Sequence, residues 1–159
     1  MSDFPLHFLD WIKGPFFAAA ATSGFSVLFG LHSLDIILAS SGAAIGWAVF
    51  QSMPSALSPA FATFIAALAA GFYSEIVAWF RSRPATVYMI ASIIPLVPGS
   101  GMYYTMLASL EGNSSRSVEI GLATLITAFA IAAGLAISNA FGRMTFGKSS
   151  RLSASGRKQ

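Results

Sequence analysis

Long apolar runs alternate with short polar connections along the whole chain. Four of these runs carry few charged residues and cover positions 15–31, 34–53, 59–80 and 118–141. One further run, over residues 84–110, is the fourth in chain order. It is apolar at both ends and interrupted in its middle. A helix needs about 20 predominantly apolar residues to cross the hydrocarbon core of a bilayer. The pattern therefore predicts an all-α, polytopic membrane protein with about five transmembrane segments.

The interruption of the fourth segment contains two prolines, Pro95 and Pro98. Proline has no N–H and its ring clashes with the preceding turn of a helix. We therefore expect the carbonyls of Ala91 and Ile94 to lose their helical donors. Irregular backbone at membrane depth persists only where it is buried in protein or lines an aqueous cavity. A single proline often makes a purely structural kink, but two prolines, two glycines and two tyrosines together favour a functional break.

The break, Pro95-Gly101, divides the fourth segment into two halves of similar length, residues 86–94 and 102–110. Each half is about 15 Å long as a helix, so the break should lie near the midplane of a hydrocarbon core of about 30 Å. Discontinuous helices at this depth form the substrate sites of many secondary transporters. We therefore predict a substrate-binding site made of the residues around the break: Pro95, Pro98, Gly99, Ser100, Gly101, Tyr103 and Tyr104.

The chemistry expected of this site comes from the backbone. The second half-helix is predicted to begin near Gly101, so the N–H groups of residues 102–105 should lack intrahelical partners and carry the positive end of the dipole. Such groups suit a substrate carboxylate, and the freed carbonyls can accept from an ammonium or hydroxyl group. An amino acid matches both kinds of group, whereas a dicarboxylate requires another donor.

Two carboxylates lie inside the apolar runs. Asp35 follows Ser33, which is expected to cap the second helix, and a carboxylate in the first turn is favoured by the helix dipole. We therefore interpret Asp35 as a structural residue rather than a transport residue. Glu75 lies about 8 Å from the predicted end of its helix, within snorkelling range of the interface. Its alternative role is to bind a proton or a substrate ammonium, which makes Glu75 the candidate for proton coupling.

Composition narrows the class of protein further. The 159 residues are 55% hydrophobic and 9% charged, whereas soluble domains average about 25% charged residues. The absence of cysteine excludes disulfides and thiolate metal sites, and the two histidines have no metal-ligand spacing. We expect no metal, no cofactor and no enzymatic activity, since no phosphate-binding, hydrolase or zinc-protease motif occurs. The net charge of +3 is concentrated after Gly142 and gives no support to a nucleic-acid partner.

Three regions follow from these patterns. Residues 1–14 mix aromatic and charged positions and are predicted to form an interfacial segment, with Pro15 in the first turn of the first span. Residues 15–142 form the transmembrane domain. Residues 143–159 form a basic tail, which is expected to be mostly disordered.

Basic residues set the expected orientation. Arg81 and Arg83 follow the third span and the basic tail follows the fifth. Two spans, the fourth and the fifth, separate these regions and so place both on one side, which the positive-inside rule makes the cytoplasm. The C-terminus is therefore predicted to be cytoplasmic and the N-terminus to be outside.

Residues 94–99, with Tyr103 after them, resemble the threonine/serine exporter family. They are most similar to the short, separately encoded C-terminal half of its two-component members. The likeness extends from the second span to the fifth and includes residues 63–68, Gly71, Glu75 and residues 83–87.

The resemblance implies an exporter of small polar metabolites in the inner (plasma) membrane of a bacterium. Family substrates include threonine and serine and, in split members, C4-dicarboxylates such as succinate. Full-length members carry an additional N-terminal half with a cytosolic hydrolase-like region. A second exporter subunit with that cytosolic domain is thus the implied partner within the lipid bilayer, and a homo-oligomer is the alternative.

Other functions stay open at this point. The chain can be a structural or regulatory membrane subunit with no transport pathway of its own. A membrane enzyme acting on a lipid-linked substrate would need a cluster of acidic, basic or histidine residues at one depth, and the charged residues here are scattered. A channel would need a ring-forming charge motif, which the sequence lacks.

Overall fold

The computed structural model describes the backbone of residues 4–54 and 56–155, and the side chains of residues 11–54 and 56–145. Over these ranges the chain is helical and contains no strand, so the predicted all-α fold is confirmed. In chain order the helices are α1 Phe4–Leu28, α2 Ser33–Ser52, α3 Pro59–Arg81, α4 Ala85–Ile93, α5 Gly99–Leu110 and α6 Ser114–Ser155, with a 3-10 turn at Ile94–Leu96.

Three of the helices in the described chain are long and apolar enough to cross a membrane: α2, α3 and the stretch Ser114–Thr145 of α6. A further candidate is the pair Ala85–Leu96 and Gly99–Leu110, which is bent by 51° at the break. The described chain therefore holds three spans by length and composition, or four if the bent pair is one span. The predicted number of five stays a prediction.

The first helix differs from the sequence-based expectation. It begins at Phe4 and carries Pro15 in its interior, so the expected place of Pro15 in a first turn is wrong. The interfacial role of residues 1–14 stays a prediction. Pro15 cannot donate to the carbonyl four residues earlier, at Trp11. The side chain of Gln51 in α2 supplies the missing donor, with Nε2 at 2.5 Å from the Trp11 oxygen. Tertiary packing therefore satisfies the group that the proline leaves free.

Helices α1 and α2 run antiparallel. Ser23 Oγ lies 2.8 Å from Ser40 Oγ, while the bond from Gln51 to Trp11 joins the other ends of the two helices. At the start of α2 the N-cap is His32, without a side-chain capping bond. The predicted cap by Ser33 is therefore wrong, because Ser33 already belongs to the helix.

Small residues bring α3 and α6 close together. A side chain at Gly134 would place its Cβ 2.8 Å from the Phe64 carbonyl oxygen and 3.0 Å from the Leu68 nitrogen. A side chain at Gly71 would meet Ser138. Gly134 and Ser138, two small residues four positions apart, thus lie in a helix–helix contact, as in other membrane bundles.

Helix α6 is longer than predicted. The sequence places the end of the last span near Phe141 and a mostly disordered tail from residue 143. The helix instead continues past Gly142 to Ser155. Gly142 is buried against the side chain of Glu75, so this glycine accommodates a neighbouring side chain and does not end the helix.

A leucine at Gly134 is expected to separate α3 from α6 and to lower the thermal stability of the detergent-solubilised protein sharply, because backbone atoms of α3 cannot move aside. Gly24→Leu is the matched control, since nothing lies within 4 Å of a Cβ at Gly24. Melting followed by fluorescence-detected size exclusion measures both. Equal melting temperatures for the two variants would show that close packing at Gly134 is unimportant.

Candidate functional site

The predicted break in the fourth segment is present. It consists of the 3-10 turn Ile94–Leu96, an extended residue at Val97 and then Pro98, after which α5 begins at Gly99. The two half-helices meet at 51° and so do not form a continuous rod. The second half-helix begins two residues before the predicted Gly101.

Hydrogen bonds inside the break differ from the expected pattern. The carbonyl of Ala91 accepts from the Ile94 N–H, and the carbonyl of Ile94 accepts from the Val97 N–H at 3.3 Å. The prediction that these two carbonyls are free is therefore wrong, because the chain tightens into i→i+3 bonds that bypass the prolines. The carbonyls of Pro95 and Leu96 instead have no backbone donor among the described residues.

The unpaired N–H groups also lie two residues earlier than predicted. The Met102 N–H donates to the Pro98 carbonyl at 3.2 Å, so the expectation of free donors over residues 102–105 is wrong. Within the described chain the N–H groups of Ser100 and Gly101 have no backbone acceptor. These groups belong to the first turn of α5, where the helix dipole is positive and an anion is favoured.

One face of α5 beside the break is open. Tyr103 is 61% exposed and Tyr104 is 53% exposed, and their rings meet edge to face with centroids 5.3 Å apart. Ser100 is exposed, and a Cβ at Gly99 would find no atom within 4 Å. These four residues therefore lie together on an accessible surface next to the unpaired backbone groups.

Gly101 has a different environment from the other predicted site residues. A Cβ at this position would collide with Thr124 of α6, and the Gly101 carbonyl accepts from Thr105 Oγ1 at 2.7 Å. Gly101 is therefore where α5 and α6 come close together. Pro95 and Pro98 are half-buried and shape the bend.

A buried charge cluster at the junction of α2, α3 and α4 was missed by the sequence analysis. Asp35 Oδ1 accepts a hydrogen bond from the Tyr88 hydroxyl at 2.7 Å. Arg81 Nε lies 3.5 Å from Asp35 Oδ1, and Arg83 Nε lies 3.5 Å from Asp35 Oδ2. Asp35 is thus the centre of an ion-pair network and more than a residue favoured by a helix dipole.

The turn after α3 places both arginines beside the Asp35 carboxylate. Arg81 is the last residue of α3, and Ser82 then adopts the left-handed conformation at φ 51°. The Arg83 N–H donates to the Ala78 carbonyl at 3.2 Å, which closes the helix end in the manner of a Schellman turn. The signal in the sequence was a pair of arginines on either side of Ser82, at the end of an apolar run. No residue near them in the sequence indicated that Asp35 is their partner.

Helices α2 and α4 lie side by side and run parallel. The contact from Tyr88 to Asp35 is followed one turn later by a hydrogen bond from Ser92 Oγ to the Ala39 carbonyl at 3.1 Å. A side chain at Gly42 would collide with Ser92, so this glycine lets α2 and α4 approach closely. The first half of the broken segment is therefore held at two levels by α2.

Glu75 lies in the α3–α6 interface. Its side chain is 9% exposed and packs against Gly142, with Arg143 of α6 within electrostatic range. The interpretation of Glu75 as an interfacial, snorkelling residue is therefore not supported by its burial. Gly142 and Arg143 both belong to α6, and no contact joins Glu75 to the residues of the break among the described residues.

The comparison with known families decides the class of protein. Residues 15–141, which include the break, the Asp35 cluster and Glu75, match the family model described as "Threonine/Serine exporter, ThrE". The chain belongs to the threonine/serine exporter family. This is a family of transporters and not of enzymes.

A curated relative supports the same assignment. The chain is similar to the protein named "Threonine/serine exporter" of Corynebacterium glutamicum, with 31% identity over 109 residues. The matched region is 69% of this chain but 22% of the relative. The chain therefore spans about a fifth of the length of that relative. No solved structure matches this chain, and its described residues contain no group of three or more His, Cys, Asp or Glu able to hold a metal ion.

Proposed function

We propose that this chain is a subunit of a secondary active exporter for small amino acids such as threonine and serine, or for C4-dicarboxylates such as succinate. The observation that carries the proposal is the broken segment. The unpaired N–H groups of Ser100 and Gly101 and the unpaired carbonyls of Pro95 and Leu96 offer donors and acceptors within a few residues of each other. A substrate with a carboxylate and an ammonium or hydroxyl group can use both kinds.

The open face of α5 supports a partner. Tyr103 and Tyr104 are more than half exposed, so this chain alone does not enclose a substrate at the break. A relative more than four times as long as the matched region can supply the rest of an enclosed pathway within one chain. Here a second subunit with a cytosolic N-terminal domain, or a second copy of this chain, would have that role.

Charge placement supports an orientation with the C-terminus in the cytoplasm of a bacterium and the N-terminus outside. Glu75 of α3 packs beside Gly142 of α6, so the C-terminal ends of these two helices lie at the same end of the bundle. Arg81, Arg83 and Arg143 gather there. The positive-inside rule makes that end cytoplasmic, in the inner membrane.

Efflux from intact cells tests the proposed function. Cells lacking this chain and loaded with a threonine-containing dipeptide should accumulate threonine inside, and expression of the chain with its partner should restore release. The same cells loaded with succinate test the dicarboxylate alternative. Full efflux by the partner subunit alone would contradict the proposal and favour a structural or regulatory subunit without a pathway of its own.

Glu75 is proposed as the proton-coupling residue, because a buried carboxylate in a span can exchange a proton during transport. Glu75→Gln keeps the shape of the side chain and removes its titration. We expect efflux by this variant to lose its dependence on an imposed pH gradient, with at least a several-fold lower rate under a gradient. Glu119→Gln, in the exposed first turns of α6, is the control. An unchanged response to the gradient in Glu75→Gln would assign coupling elsewhere.

A further inference from the structure

Two cations face one carboxylate where α3 ends and α4 begins. Arg81 and Arg83 each approach a different oxygen of Asp35, with both Nε–Oδ distances at 3.5 Å. The three side chains together carry one net positive charge. A purely structural ion pair would be satisfied by a single arginine, so the second guanidinium leaves this group with an excess of anion-binding capacity.

Accessibility differs sharply between the two sides of the cluster. The Asp35 side chain is 1% exposed, whereas the side chains of Arg81 and Arg83 are 37% and 43% exposed. The carboxylate is thus fixed inside the bundle, and the guanidinium groups are accessible from its end. Tyr88 donates a short hydrogen bond to Asp35, at 2.7 Å.

The ion pairs themselves are loose. Strong charge-assisted N–H···O bonds are about 2.7–2.9 Å long, and both Nε contacts are longer than that. A guanidinium carries five N–H donors in a planar fork that fits a carboxylate. The contacts from Nε to Asp35 therefore leave donor capacity on each arginine for a second carboxylate.

We propose that Arg81 and Arg83 form a loading site for the carboxylate of the exported substrate, with Asp35 as the resident anion that positions them. The inference rests on the proposed function and adds a second binding step to it. Arg83 lies two residues before the first residue of α4, and α4 leads directly to the break. A carboxylate captured at this end of the bundle is thus held at the start of the segment that carries the transport site.

Phosphate groups of anionic lipids offer the same chemistry as a substrate carboxylate, since arginines at the membrane surface attract both. The two sources differ in a testable way. A substrate site changes the concentration dependence of transport in any lipid, whereas a lipid site changes it only where anionic lipid is present.

The test uses the full chain with its partner, reconstituted in vesicles, and radiolabelled L-threonine offered on the side of the arginines. Arg81→Gln and Arg83→Gln are each expected to raise KM about tenfold, as for a lost hydrogen bond to a charged group, with the maximal rate retained. Arg83→Lys should restore part of the affinity, since it keeps the charge and loses the fork. Arg116→Gln, in the exposed start of α6 at the opposite end, should leave KM unchanged.

Two further arms identify the ligand. L-threoninol, which lacks the carboxylate, should compete equally well against wild type and both glutamine variants. The rise in KM should appear in phosphatidylcholine vesicles and in vesicles containing phosphatidylglycerol. A rise confined to the anionic vesicles would overturn the inference in favour of a lipid site.

Other outcomes separate the two proposals. Wild-type transport with unchanged KM in Arg83→Lys and Arg83→Gln would overturn the loading site and leave the exporter function intact. Absence of threonine transport and of succinate transport by wild type would contradict the proposed function itself. If a glutamine variant does not accumulate in the membrane, the KM of Arg83→Lys tests the loading site by itself. A KM equal to that of wild type would overturn the inference.

Discussion

Replacing Pro98 and Gly99 together by leucine is expected to abolish efflux while the protein still inserts into the membrane. Leucine at position 98 provides a backbone N–H that can bond to the Ile94 carbonyl, and leucine at 99 favours a helix. The break then closes toward a continuous helix, and its unpaired donors and acceptors become bonded to each other. No atom lies within 4 Å of a Cβ at Gly99, so the new side chain begins in open space.

Threonine efflux from loaded cells, normalised to the amount of protein in the membrane fraction, measures this effect. Val97→Leu is the matched control, because it adds bulk at an exposed position of the break and keeps both Pro98 and Gly99. It should export at the wild-type rate. Undiminished efflux by the double-leucine variant would show that the irregular backbone is not the transport site.

Removal of the Asp35 side chain is the second large effect expected. Asp35→Ala leaves the fully buried Tyr88 hydroxyl without its acceptor and two arginines without their counter-charge. An unsatisfied buried donor costs about 1–3 kcal/mol, so the melting temperature in detergent should fall markedly. The melting temperature of Asp35→Asn, which keeps an acceptor for Tyr88, should fall by less than that of Asp35→Ala.

A third variant isolates the hydrogen bond within the network. Tyr88→Phe removes the donor and leaves the carboxylate with both arginines, so its melting temperature should lie between those of wild type and Asp35→Ala. If Asp35→Ala melts at the wild-type temperature, the cluster does not stabilise the contact between α2 and α4, and its geometry has to be explained by function alone.

Local signals in the sequence predicted the elements of the fold well. The range of α3, Pro59–Arg81, agrees with the apolar run at residues 59–80 because a proline begins it and arginines end it. The break was predicted for the same reason, since prolines forbid specific hydrogen bonds wherever they stand. The replacement bonds were not predictable, because a chain deprived of one donor can choose among several turns.

The sequence did not predict which side chains pair between different helices. Asp35 occupies the first turn of its helix as predicted, but its cations come from the end of α3 and its hydroxyl partner from α4. The bond from Gln51 that compensates for Pro15 is of the same kind. A pattern of polar positions shows that such groups need partners, and only the packing of the helices shows which ones they find.

The two halves of the broken segment are held by different neighbours. Hydrogen bonds tie α4 to α2, whereas α5 is tied to α6, where Ser117 Oγ donates to the Thr105 carbonyl at 3.0 Å and lies 2.9 Å from Ser109 Oγ. Val97 and Pro98 thus lie between a half-helix bonded to α2 and a half-helix bonded to α6. A substrate at the proposed site would contact both half-helices at once, so its binding or release can move α5 together with α6 relative to α2 and α4.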